Sequence, residues 1–116
     1  MVLNNTNFLE NLTVLVVDCQ ATGGHPPTAH LFEIGWSTAC AGRPAGAVAC
    51  DSVSFLLQLP DGATISRAVE RLTGVDSSDL SAGARAPDVY RQLEAAARSL
   101  PPVGRKGLCP TVIHFA

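Results

Sequence analysis

The sequence predicts an α/β chain of the α+β kind: a mixed sheet with helices mostly on one side, in the order β-β-β-α-α-β. Three observations predict it. In the first half the hydrophobic residues run continuously or alternate with a period of two; in the second half they recur at helical spacing. After the helices TVIHF, Thr111–Phe115, reads again as a strand, and a strand reached through a helical crossover pairs parallel to its neighbour. Finally, 47% hydrophobic and 16% charged residues over 116 positions place the chain among globular proteins, as one domain or a piece of one.

Taken in order, Leu12–Val17 is apolar but for Thr13 and rich in β-branched residues, which suits a central strand covered on both faces. The lead-in 1–11 is polar, and the domain is read over 12–116. Ala21–Thr28 is a loop of Gly, Pro and Thr. Leu31–Thr38 alternates, with Phe32, Ile34 and Trp36 on one face and Glu33, Gly35 and Ser37 on the other. Ala41–Ala47 reads as a hairpin connection, after which Val53, Phe55, Leu57 and Leu59 alternate up to Pro60 and complete an antiparallel meander.

The period then changes. Ile65, Val69 and Leu72 lie on one face of a short helix that Thr73-Gly74 ends. Pro87 suits the first position of a second helix and Asp88 its first turn; Val89, Leu93, Ala97 and Leu100 form its buried stripe, and Pro101-Pro102 stops it. The basic loop GRKG leads into the last strand. Only the first strand is apolar on both faces, so it is the expected parallel neighbour of TVIHF. That pairing brings Asp18 and His114–Ala116 to one rim of the sheet.

A net charge of −2 supplies no basic field for nucleic acid, so phosphate binding would need local cations or metal ions. The four cysteines, Cys19, Cys40, Cys50 and Cys109, form no C-x-x-C pair and read as buried free thiols of a cytoplasmic protein. No segment reads as a signal peptide or a membrane span.

The chemistry concentrates in VLVVDCQATGG, Val14–Gly24. A charge at the end of a buried strand is costly unless it is solvated, hydrogen-bonded or bound to a cation. Asp18 therefore reads either as a local turn or helix cap, or as a metal ligand. Gly23 and Gly24 permit close approach of a ligand to the backbone, or simply make the loop flexible.

With HLFEIGW, RLTGVDSSDL and TVIHFA, this stretch resembles the DnaQ-like (DEDD) 3′-to-5′ exonuclease domains, the group of the DNA polymerase III epsilon subunit and ribonuclease T. Asp18-Cys19-Gln20-Ala21-Thr22-Gly23 stands at the D-x-E-T-x-G motif and Leu31–Gly35 at the I-x-E-I-G strand. Leu72-Thr73-Gly74-Val75 stands at the T-G-V turn, and Val112–Ala116 at the start of the H-N-A-x-F-D motif. The resemblance implies a ribonuclease H-like fold, here truncated after its fourth strand, and a site for two Mg²⁺ or Mn²⁺ ions that activate water against a phosphodiester. It assigns Asp18 to the metals. It assigns Ala21, Thr22, Gly23, Thr73, Val75 and His114 to a single-stranded DNA or RNA 3′ end, with Val75 against its sugar or base. DNA polymerase subunits are the implied protein partners, with no membrane association. Glu33 matches a carboxylate that is usually structural and is left outside the site.

Three departures accompany the resemblance. Gln20 replaces the motif's Glu by a neutral amide, which weakens metal binding, and Phe115 replaces Asn. The second-motif Asp would lie past Ala116, and the motif carrying the general-base His and last Asp is not among these residues. The chain is thus expected to be inactive by itself, and to self-associate over its uncovered sheet surface and edges. The alternatives are a degenerate exonuclease fold that binds a nucleic-acid end or a protein without cutting, a zinc protein using Cys19, His25 and His30, and an orphan fold with no site.

Overall fold

Strand β1 (Thr13–Ala21) organises the sheet. It pairs antiparallel with β2 (Leu31–Cys40) and parallel with β4 (Thr111–Phe115), while β3 (Val53–Leu56) borders β2, giving the order β3-β2-β1-β4. The computed structural model describes residues 12–23, 28–40 and 52–100, and 111–115 as backbone. The lead-in 1–11, the connection 41–47, the Pro101-Pro102 stop, the basic loop, Ala116, His25, Cys50 and Cys109 lie outside the described residues. Between β3 and β4 come α1 (Arg67–Thr73), α2 (Ser77–Ser81) and α3 (Ala86–Arg98).

The parallel pairing expected for the last strand is present, with Val17 opposite His114 and Asp18 opposite Phe115. The first strand is longer than its apolar run: it continues three residues past Asp18, and only its burial stops at Val17. Adjacent Val14 and Leu15 are both buried, so this end of β1 is covered on both faces.

On the face of Leu15 and Val17, α3 closes the main core, as the stripe of Val89, Leu93, Ala97 and Leu100 requires. These residues pack with Ile34, Trp36 and Leu57, Val89 and Leu57 being wholly inaccessible. Full burial of Val89 and of Leu57 contributes roughly 1.5–3 kcal/mol each relative to exposure. Phe55 stacks obliquely on Trp36, with ring centroids 5.6 Å apart. Pro87 takes the second helical position, not the first, because Ala86 opens the helix, and Arg85 caps it without a side-chain hydrogen bond.

A second, smaller cluster joins Phe32, Ile65, Val75 and Leu80. Three local features differ from expectation. β3 ends at Leu56 because Leu57 leaves the ladder for a bridge to Ala84. Ala84 N–H donates to Leu56 O at 2.8 Å, and Gln58 N–H to Ala84 O at 2.9 Å. Gly83 makes this approach possible: a Cβ there would lie 2.7 Å from Leu56 O. Second, Asp76 and Asp79 form a reciprocal capping box that starts the extra helix α2. Third, Leu72 is 86% exposed instead of sharing a buried face with Ile65. Ile65 precedes α1, so it does not set that helix's phase. Among the described residues no helix is long and apolar enough to cross a membrane.

Candidate functional site

The register of β1 and β2 determines which side chains share a face. Asp18 stands opposite Gly35, and Gln20 opposite Glu33. Opposed residues in an antiparallel pair point to the same side of the sheet. Asp18, Gln20 and Glu33 therefore share the face turned away from Leu15, Val17 and α3. Asp18 and Gln20 are exposed and Glu33 is half-buried. Gly35 places no side chain beside Asp18, and Ser54 of β3 continues the same row.

Asp18 caps no helix. Its Oδ1 accepts a hydrogen bond from the N–H of Cys19 at 3.0 Å, which leaves its second oxygen to solvent or a ligand. Cys19 points to the core side, where it packs against the main cluster as a half-buried thiol.

Immediately beyond Gln20 the register shifts, since Ala21 pairs with Leu31 and Phe32 is left as an extra residue of β2. This β-bulge aims Phe32 into the second cluster, fully buried against Val75, Ile65 and Leu80. Past the bulge, Thr22 and His30 clasp the strand ends together. Thr22 N–H donates to His30 O at 2.9 Å, and His30 N–H donates to Thr22 Oγ1 at 3.0 Å. Thr22 thus spends its hydroxyl on the rim, whereas Ala21 and Gly23 are exposed there.

The T-G-V turn is self-contained. Thr73 Oγ1 donates to Val69 O at 2.7 Å and accepts from Val75 N–H at 3.3 Å, and Gly74 caps α1 with φ 73°. In the left-handed region glycine alone is unstrained. Val75, assigned to the nucleotide by the resemblance, is 8% exposed, its side chain anchored in the second cluster. His114 lies on β4 beside Val17, and only its backbone position is described.

Compared by sequence, the chain matches no family model and no curated protein. Compared by structure, it is similar to a full-length 3′-exonuclease at a TM-score of 0.58 and 14% identity, over 74% of this chain and 29% of that one. It is also similar to the cell-death related nuclease 4, CRN-4, at a TM-score of 0.60 and 13% identity, over 80% of this chain and 33% of that one. The fold is ribonuclease H-like. At these identities the likeness is one of fold, and the chain spans about a third of the length of either nuclease.

On this ribonuclease H-like sheet the residues singled out from the sequence divide in two. Asp18, Gln20, Ala21, Thr22 and Gly23 follow one another along the rim of β1, with the β4 backbone at Phe115 beside Asp18. Thr73 and Val75 join this rim only indirectly, through the packing of Val75 on the bulge residue Phe32. Glu33, left outside the site from sequence, shares its face. Its alternation opposite Phe32, Ile34 and Trp36 was the available signal, but the strand register was needed to bring it against Gln20.

Proposed function

We propose that these residues form part of a 3′-to-5′ exonuclease domain of the DnaQ-like, epsilon type, which engages the 3′ end of single-stranded DNA or RNA at the Asp18 rim. One observation carries the reading. Asp18 is an exposed acid on the central strand of a fold shared with 3′-exonucleases, placed where burial ceases and facing a glycine. Ala21 and Gly23 would offer backbone to the terminal nucleotide, and a polymerase subunit is the partner class suited to an epsilon-type domain.

Two divalent cations, Mg²⁺ or Mn²⁺, belong to that chemistry as activators of water and clamps on phosphate. The residues described here do not fit a pair of them. Asp18 and Glu33 are the acids on the face, the neutral Gln20 lies beside them, and no group of three His, Cys, Asp or Glu side chains suited to a metal gathers among the described residues. Hydrolysis is therefore not assigned to these residues alone. Gln20 favours a second reading, an exonuclease fold that holds a nucleic-acid end without cutting it.

The test is Mn²⁺- or Mg²⁺-dependent release of mononucleotides from a labelled single strand by a longer protein in which the remaining exonuclease motifs accompany these residues, wild type beside Gln20→Glu, together with binding of the same strand. Binding by both proteins with release only by the Glu variant is the expected outcome. Release by the wild type at the variant's rate would remove the binding-only reading. Failure of both proteins to bind a 3′ end would overturn the assignment.

A further inference from the structure

We infer that a cleft beside the rim, between the start of β2 and the first turn of α3, is a second contact for single-stranded nucleic acid: it takes one nucleotide unit, its base against Tyr90 and its phosphate against Arg85. The inference rests on the nucleic-acid reading above and extends it to residues that this reading does not use.

The cleft has a volume of about 300 Å³ and is lined by His30, Gln58, Leu59, Pro60, Arg85 and Tyr90 among others. That is the lower end of the range for small-ligand sites, room for one nucleotide unit and not for a duplex. Tyr90 is 44% exposed, off the buried Val89–Leu93–Ala97 stripe of α3, so the core does not account for its ring. An exposed aromatic face is what a single-stranded base stacks on, whatever its identity.

Arg85 is exposed and forms no ion pair among the described residues. The acid in the same helical turn, Asp88, is held by Arg91 at 3.0 Å, which leaves the Arg85 guanidinium uncompensated. A planar cation beside a ring matches a phosphate followed by a base. The cleft lies on the α3 side of the sheet and meets the end of β1 through His30. This residue, one of its walls, is hydrogen-bonded through its backbone to Thr22 in both directions, so a strand whose end lies at Ala21–Gly23 reaches the cleft by passing around the end of β1. A second cavity, about 330 Å³ and lined by Gln58, Leu59, Ala63, Thr64, Ser77, Leu80 and Ser81, has neither a cation nor a ring.

Binding of a fluorescein-labelled single-stranded DNA, on the order of ten nucleotides long, to the full chain tests this by anisotropy across a salt series. Tyr90→Ala is expected to weaken binding about fivefold or more, the effect of losing one stacked base, while Tyr90→Phe binds as wild type. Arg85→Gln is expected to flatten the log–log salt dependence by about 0.7, the value of one phosphate contact on a single strand. A strand carrying 5-iodouracil should cross-link to Tyr90 in the unsubstituted chain, a readout independent of whether any variant folds. Wild-type binding with no change in Tyr90→Ala or Arg85→Gln, or cross-links that avoid Tyr90, would overturn the cleft and leave the rim reading standing. Absence of wild-type binding would overturn both.

Discussion

Removing the ring of Phe32 tests the link between the bulge beside Gln20 and the T-G-V turn. Phe32 is wholly inaccessible, and its cluster partners Ile65, Val75 and Leu80 are themselves 8% exposed or less, so little solvent or free space lies nearby for relaxation. Phe32→Ala should therefore cost about 3–5 kcal/mol, transfer and cavity terms together. For a domain of this size that corresponds to a fall in Tm of roughly 12–40 °C. Against a total stability of about 5–15 kcal/mol, the variant would be close to unfolding. Urea titration with thermal melts measures it. The specific claim is coupling: Phe32→Leu with Val75→Ala should depart from additivity by about 0.5 kcal/mol or more, whereas Phe32→Leu with Leu93→Ala, in the other cluster, should add. A Tm loss under about 5 °C for Phe32→Ala, or additivity between positions 32 and 75, would refute the proposed anchoring of the turn on the bulge.

Other perturbations follow from the same contacts. Gly83→Ala places a methyl 2.7 Å from Leu56 O, a backbone atom that cannot swing aside, so a loss of about 1–3 kcal/mol in urea unfolding is expected, and wild-type stability would remove the argument. The Asp76 carboxylate, which accepts from Asp79 N–H and the Ser78 hydroxyl, is held below its ordinary pKa of 3.8 chiefly by the Asp79 backbone N–H. Its stabilisation is present above that value and is lost as pH falls through the depressed one. The advantage of wild type over Asp76→Ala should thus shrink in acid melts, and a pH-independent difference would count against it. Gln20→Glu sets two carboxylates directly opposite across β1 and β2. It should cost about 0.2–1 kcal/mol without metal and regain stability on Mn²⁺ addition, with equal melts in both conditions as the refuting result.

Much of this fold was legible because it depends on side-chain period. The alternation of Phe32, Ile34 and Trp36 and the α3 stripe are local patterns that burial reproduces. The parallel β1–β4 pairing followed from handed crossover topology and the two-sided burial of Val14 and Leu15. What escaped was set by pairs of elements. The bulge at Phe32 exists only as a mismatch between two strands, and no single-strand pattern marks it. Glu33 was assigned to the correct face of its strand, but its opposition to Gln20 depends on register. The helix α2 was signalled by Asp76 and Asp79, three apart, yet it buries only Leu80 and so leaves no periodic stripe. Leu72 failed because Ile65, taken as its helical partner, lies outside the helix.

The substitution at position 20 has opposite effects on the sheet and on the site. With Glu33 directly across the pair and Asp18 two residues back on the same face, a Glu at 20 would assemble three carboxylates, a cost that only a bound cation offsets. Gln20 avoids that repulsion, and on the proposed reading it withholds an anionic ligand in the same stroke. On the proposed nucleic-acid reading, a face that binds metal weakly would also screen phosphate weakly, and the net charge of −2 supplies no field to replace it. Affinity for a strand would then come from contacts that need no cation bridge. Among the described residues, the cleft at Tyr90 and Arg85 provides an exposed ring and an uncompensated guanidinium on the α3 side of the sheet, so the proposed reading expects the departure at Gln20 to shift the weight of binding from the Asp18 carboxylate to α3.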